Sequence, residues 1–184
     1  MLILKNCREL LTVKEDAKDL IGLMNNTSVL IKGERIEKIG SYEELIKLVD
    51  DEDFEEIDCS DKVVMPGYVD SHTHLLFGKS RVDEYVASLT HASADVKKLV
   101  KLVGLEASIH YTKNASDEEL VESSLAKLHR MFLSGTTTVE IKSGYGIDKE
   151  TELRQLRLIN KLKGRTPQTI LDRKSTRLNS SHQC

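Results

Sequence analysis

The chain has 184 residues, 39% of them hydrophobic, which is enough apolar material for one ordinary domain or two small ones and excludes wholesale disorder. Its 27 Lys and Arg against 30 Asp and Glu leave a formal charge of −3, so no broad positive field draws it to phosphate backbones or anionic membranes. No stretch approaches the roughly 18 uninterrupted apolar residues of a membrane span; three cysteines, Cys7, Cys59 and Cys184, without Cys-x-x-Cys spacing argue against a disulfide framework or a thiolate zinc site and for a reducing, cytoplasmic setting.

The first part of the chain, to about Val63, reads as β-rich. From Ser28 to Gly40 two short β-branched runs flank Lys32-Gly33-Glu34, which predicts a β-hairpin. Ser41 stands three residues before Glu44 in the pattern of a capping box and predicts a short helix ending near Asp50. Val63 to Asp70 is an apolar run expected as a buried strand, with His72 and His74 at its end. Val82 to Val103 has a helical pattern. Ser116-x-x-Glu119 then opens a cleaner helix with Leu120, Val121, Leu125, Leu128 and Phe132 on one stripe, stopped by Gly135. Thr136 to Lys142 reads as a strand, with Glu140 and Lys142 on one face, and Ser143-Gly144-Tyr145-Gly146 as a loop. Asp148 opens a helix carrying Leu153, Leu156, Ile159 and Leu162 before Gly164. Strands alternating with helices predict an α/β fold with a parallel sheet, of which the chain supplies two units and stops before a third strand. Residues 172–184 have no periodicity and are expected to be an unstructured tail; Arg173 to His182 resembles translated synthetic sequencing-adapter DNA and is expected to be non-native.

The chemistry concentrates in the tripeptide His72-Thr73-His74. A His-x-His arises by chance about 0.2 times in a chain of this composition, so context must carry the reading. On a strand, alternate side chains share a face: His72 and His74 point the same way, with Asp70 one layer below, while Val69, Ser71 and Thr73 point oppositely. Two imidazoles so placed suit a divalent ion, and at the C-terminal end of a barrel strand they would reach the mouth where sites are built. Paired histidines also serve as ordinary hydrogen-bonding groups.

Two longer blocks carry a resemblance. PGYVDSHTHLLFGKSRVDEY, Pro66 to Tyr85, resembles the first barrel strand of metal-dependent amidohydrolases and, through Arg81, the imidazolonepropionases among them. GTTTVEIKSGYGIDKETELRQLRLI, Gly135 to Ile159, is similar to the second strand, loop and helix of the same family. The resemblance covers about residues 1 to 171, more weakly before Val63. It implies the opening of a (β/α)8 barrel, truncated to its first two βα units, with part of a small β-sandwich: residues 1–63 in the sandwich, 64–171 in the barrel, 172–184 as tail.

The resemblance also implies a mononuclear zinc or iron site with His72 and His74 as ligands, Arg81 gripping the substrate's propanoate through its planar fork, and Tyr145 contacting the substrate. The other ligands, a His and an Asp, and the groups that handle the proton are implied on later strands, so no catalytic base is identifiable in this chain. One departure stands between Lys98 and Lys113, where a Gly-rich stretch is usual and only Gly104 is present. The implied activity, for a longer protein of which this stretch alone is inactive, is hydrolysis of the cyclic amide of 4-imidazolone-5-propanoate to N-formimidoyl-L-glutamate in L-histidine degradation. Two alternatives stay open. One is another barrel amidohydrolase, a cyclic-imide hydrolase or nucleobase-type deaminase, against which Arg81 and the Ser-Gly-Tyr-Gly loop argue; the other is a non-catalytic truncated fragment. The expected partner is a small-molecule substrate, with neither nucleic acid nor membrane; a homodimer of the longer protein stays open.

Overall fold

Short runs of Leu, Ile and Val, rather than strict alternation, build the first sheet. In the computed structural model, which describes residues 1–17, 19–49, 53–89 and 103–174, β1 (Leu2–Leu11) pairs antiparallel with β2 (Leu23–Lys32), which pairs antiparallel with β3 (Arg35–Gly40) across the Gly33-Glu34 turn. The expected hairpin is thus present. A short helix, α1 (Tyr42–Leu45), follows, capped by the Ser41 hydroxyl accepting from the Glu44 N–H, and continues as a 3-10 turn over Ile46–Leu48. Two short strands, β4 (Glu55–Asp58) and β5 (Val63–Val64), both lie parallel to β1. Ile3, Leu30, Leu45 and Val49 form one buried cluster of this unit, and Cys7, Leu10, Val29 and Cys59 another. Cys7 and Cys59 are free thiols, and burial, together with the neighbouring Cys59, pushes the Cys7 thiol up to about 11, where it is inert.

The expected single strand from Val63 to Asp70 is in fact two strands in two sheets. Val63 and Val64 belong to the first sheet, whereas β6 (Tyr68–Thr73) opens the second, and the boundary between the chain's two units falls between Pro66 and Gly67. Pro66 has no N–H to give to a ladder, which breaks the run. Gly67 permits a close approach in which an added Cβ would lie 2.2 Å from the Thr137 side chain. Nor is the strand buried as expected, since Tyr68 and Val69 are 54% and 66% exposed.

In the second unit β6 lies parallel to β7 (Thr136–Lys142), which lies parallel to β8 (Thr169–Arg173). Between β6 and β7 come α2 (Val82–Leu89), α3 (Gly104–Asn114) and α4 (Asp117–Leu133); α5 (Lys149–Leu162) joins β7 to β8. The helix expected over Val82–Val103 is therefore α2 in its first part, and residues 90–102 lie outside the described residues. Ser116 and Glu119 form a complete capping box on α4, and Gly135, at φ 90°, follows its end.

The strand β8 corrects two expectations, that the chain stops before a third strand and that an unstructured tail begins at Asp172. Asp172 and Arg173 pair with Ile141 and Lys142 of β7, so ladder bonds hold two charged residues that carry no apolar signal of their own, and Asp172 also pairs with Lys163. The rest of the expected tail, residues 175–184, lies outside the described residues. The core of this unit gathers Leu75, Leu76, Leu120, Val121, Leu128, Val139, Ile141, Leu158, Ile159, Leu162 and Ile170. On α5 the buried face is rotated from the expected stripe: Leu153 is 40% exposed, while Glu152 and Gln155 take buried positions beside Leu158, Ile159 and Leu162.

Candidate active site

Chain direction brings the C-terminal ends of β6 and β7 side by side, and the side chains with chemistry stand there. The rings of His72 and His74 lie 5.6 Å apart between centroids at an interplanar angle of 60°. Two imidazoles bound to one tetrahedral ion would have ring centres about 5 Å apart, which is close to this spacing. Among the described residues no group of three or more His, Cys, Asp or Glu gathers as a metal cage, so these histidines offer two donors and no more. Asp70 turns to its own backbone, its carboxylate accepting the His72 N–H at 3.2 Å. Thr73, between the two histidines in sequence, donates its hydroxyl to the Glu140 carbonyl at 2.8 Å and so ties β6 to β7. Glu140 and Lys142 pair at 2.9 Å, which holds the Glu140 carboxyl below its usual range, helped by Arg173 at 3.4 Å.

Beside the histidines is a cavity of about 300 Å³, lined among others by Phe77, Lys79, Arg81, Tyr85, Ser108 and Tyr145. The two residues expected to hold substrate, Arg81 and Tyr145, thus share one cavity although they come from different strand-loop units. The Tyr145 ring also lies 5.5 Å from that of His74, so cavity and imidazole pair have a common wall. Arg81 is half-exposed; among the described residues no hydrogen bond occupies its guanidinium, and its ion-pair partner is Glu84 at 3.7 Å. Glu84 in turn accepts the Gly104 N–H at the start of α3 at 3.0 and 3.1 Å, a carboxylate on the positive end of a helix.

Three charged residues that the sequence did not single out hold these walls. Lys127 of α4 reaches under the segment after His74, donating to the Leu75 and Phe77 carbonyls at 3.2 and 3.4 Å with its ammonium 3.5 Å from the Phe77 ring centre. Its burial, with a smaller contribution from Arg130, lowers its pKa to about 8. Glu152 of α5 accepts the N–H groups of Gly146 and Ile147 in the loop that carries Tyr145. In that loop Ile147 holds a φ of 67°, in the left-handed region that β-branched residues avoid. Glu84 is the third. The signals available were faint: a lysine within an otherwise apolar stripe, and a glutamate one turn into a helix that follows a glycine-rich loop.

No family model matches the chain. Curated proteins do: an imidazolonepropionase of Clostridium tetani is 40% identical over 167 residues, which cover 87% of this chain and 39% of that protein. That of Bacillus cytotoxicus is 38% identical over 90% of this chain and 40% of its own length, and that of Bacillus velezensis 47% identical over 60% and 26%. The chain therefore spans about two fifths of the length of the curated relatives it matches. Among solved structures, an uncharacterised metal-dependent hydrolase of Pyrococcus furiosus superposes with a TM-score of 0.57 at 14% identity, covering 96% of this chain and 50% of that one. An atrazine chlorohydrolase of Arthrobacter aurescens, complexed with zinc, gives 0.55 at 15% identity over 95% and 35%. At such identities these two likenesses show a shared mixed α/β fold and nothing more.

Proposed function

Because the chain belongs to the imidazolonepropionase family over about two fifths of its members' length, we propose that it forms the opening strands of a (β/α)8 amidohydrolase barrel with part of an accompanying β-sandwich. In that protein water opens the cyclic amide of 4-imidazolone-5-propanoate to N-formimidoyl-L-glutamate, a step of histidine breakdown. The observation that carries the reading is the single cavity shared by Arg81 and Tyr145, with Tyr145 against His74.

His72 and His74 would hold the metal ion, zinc or iron, which when bound makes water a nucleophile near neutral pH and polarises the ring carbonyl. Arg81 binds the propanoate: its fork can donate two parallel hydrogen bonds to one carboxylate, and Glu84 at 3.7 Å orients it without hydrogen-bonding it. Tyr145 closes the wall between the cavity and His74 and offers its phenol to a polar substrate atom.

The test uses the chain itself. Titrating isotope-labelled protein with imidazole-4-propanoate, an analogue that carries the propanoate and has no amide to hydrolyse, should shift the signals of Arg81 and Tyr145 first; zinc added separately should act on His72 and His74. Shifts confined to the β1–β5 sheet, or none at millimolar analogue, would overturn the assignment. The chain alone should show no turnover, since two imidazoles do not make a complete metal shell.

A further inference from the structure

Glu152 is 3% exposed, and its carboxylate is spent on one loop. Oε1 accepts the backbone N–H of Gly146 at 2.6 Å and that of Ile147 at 3.2 Å, while Oε2, equally buried, has no hydrogen-bond partner among the described residues. A carboxylate buried with one oxygen unsatisfied costs stability, and an apolar side chain of similar volume would fill the same space without that cost. What the carboxylate adds is direction: two amides converge on one oxygen and fix the loop from the side of α5. Those amides belong to the two residues that follow Tyr145. The space around them is closed, since a Cβ added at Gly146 would lie 2.6 Å from the Glu152 nitrogen and 2.8 Å from Oε1.

We infer that Glu152 is a positioning residue: by holding the Gly146 and Ile147 amides it sets the Tyr145 ring at the cavity and against His74. Its functional meaning rests on the reading of Tyr145 as a substrate contact, whereas the geometry it asserts does not depend on which substrate is turned over. Glu152 itself lines no part of the cavity. It acts through the loop, and the loop delivers the phenol.

The experiment is nuclear magnetic resonance on the full chain and two variants, with circular dichroism to follow helix content. Wild type should show scalar coupling across the hydrogen bonds between the Gly146 or Ile147 nitrogen and the Glu152 carboxyl carbon, together with a nuclear Overhauser contact between the Tyr145 and His74 rings. Glu152→Gln keeps a carbonyl acceptor and should retain the ring contact. Glu152→Leu removes both acceptors; amide exchange at Gly146 and Ile147 should rise at least about tenfold and the ring contact should vanish with helix content unchanged. A merely structural role would lower stability without moving the ring contact in folded protein. The inference is overturned if wild type shows no such coupling, if folded Glu152→Leu keeps the full ring contact, or if folded Glu152→Gln loses it. Should Glu152→Leu not fold, the wild-type coupling and the Gln variant still decide. None of these readouts involves turnover, so a failure of the proposed hydrolysis and a failure of this inference are told apart.

Discussion

The ring of Tyr145 lies 5.5 Å from that of His74, tilted by 55°, and so joins the loop after β7 to the strand end of β6. The contact is made by the ring, which leaves the hydroxyl for other work. Tyr145→Phe should therefore keep stability within about 0.5 kcal/mol, as a surface change does, yet weaken binding of imidazole-4-propanoate. Paired urea denaturation and analogue titration check this; equal affinity in both proteins would reduce Tyr145 to a packing aromatic.

His72→Ala and His74→Ala should each lower zinc affinity of the chain, by about tenfold or more, because each removes one of two nitrogens that no neighbouring side chain among the described residues replaces. Competition against a chromophoric chelator measures it. Zinc affinity unaltered in both variants would make the pair structural.

Arg81→Lys keeps the charge and loses the planar fork. A charge-assisted hydrogen bond contributes roughly 1.5–3 kcal/mol, and the half-exposed guanidinium belongs at the low end, so propanoate binding should weaken about tenfold. An analogue lacking the carboxylate should bind both proteins alike. If the Lys variant binds imidazole-4-propanoate as well as wild type does, another group holds the carboxylate.

Gly146→Ala should cost on the order of 1–3 kcal/mol, because its Cβ meets the backbone of Glu152 rather than a flexible side-chain end. Gly164→Ala is the control. Its Cβ would have nothing within 4 Å, so only the φ of 76° opposes it, at about 1–2 kcal/mol. Thermal melts of the two variants give the comparison, and the analogue titration should respond to the first alone.

Lys127 gives a pH dependence whose sign is fixed. Its folded pKa, lowered to about 8, lies below the ordinary 10.5, so between these values the unfolded chain keeps a proton that the folded chain has released. Stability conferred by Lys127 should thus rise as pH increases from about 8 to 10.5. Urea denaturation of wild type and Lys127→Met across that range should show the difference moving in favour of wild type; a difference that stays flat would mean that the ammonium is solvated.

Elements with local signals were legible in the sequence. The Ser116 and Glu119 cap, the Gly135 stop, β7 and the opening of α5 at Asp148 each follow from residues within one turn of the feature. Tertiary context decided the others. The Val63–Asp70 run carries one continuous apolar signal, and only the missing donor of Pro66 divides it between two sheets. In β8, Asp172 and Arg173 owe their extended form to the ladder with β7, which no pattern in those residues announces. At the site, the tripeptide and two quoted blocks pointed to His72, His74, Arg81 and Tyr145, and three of these four meet along one line of ring and cavity contacts. Arg81 joins Tyr145 across the cavity. Glu152 and Lys127 stayed hidden because a charged residue on a helix ordinarily faces water, and only packing shows that these two turn inward.

Ile147 sets two kinds of selection against each other. Its φ of 67° disfavours a β-branched side chain by about 1–2 kcal/mol, and glycine or asparagine would relieve that. A library screened only for survival of heating should collect those two residues at position 147. The same exchange frees the backbone next to Tyr145, so a library screened for ligand capture should keep isoleucine there, and the two lineages would part at a residue that lies outside the cavity lining.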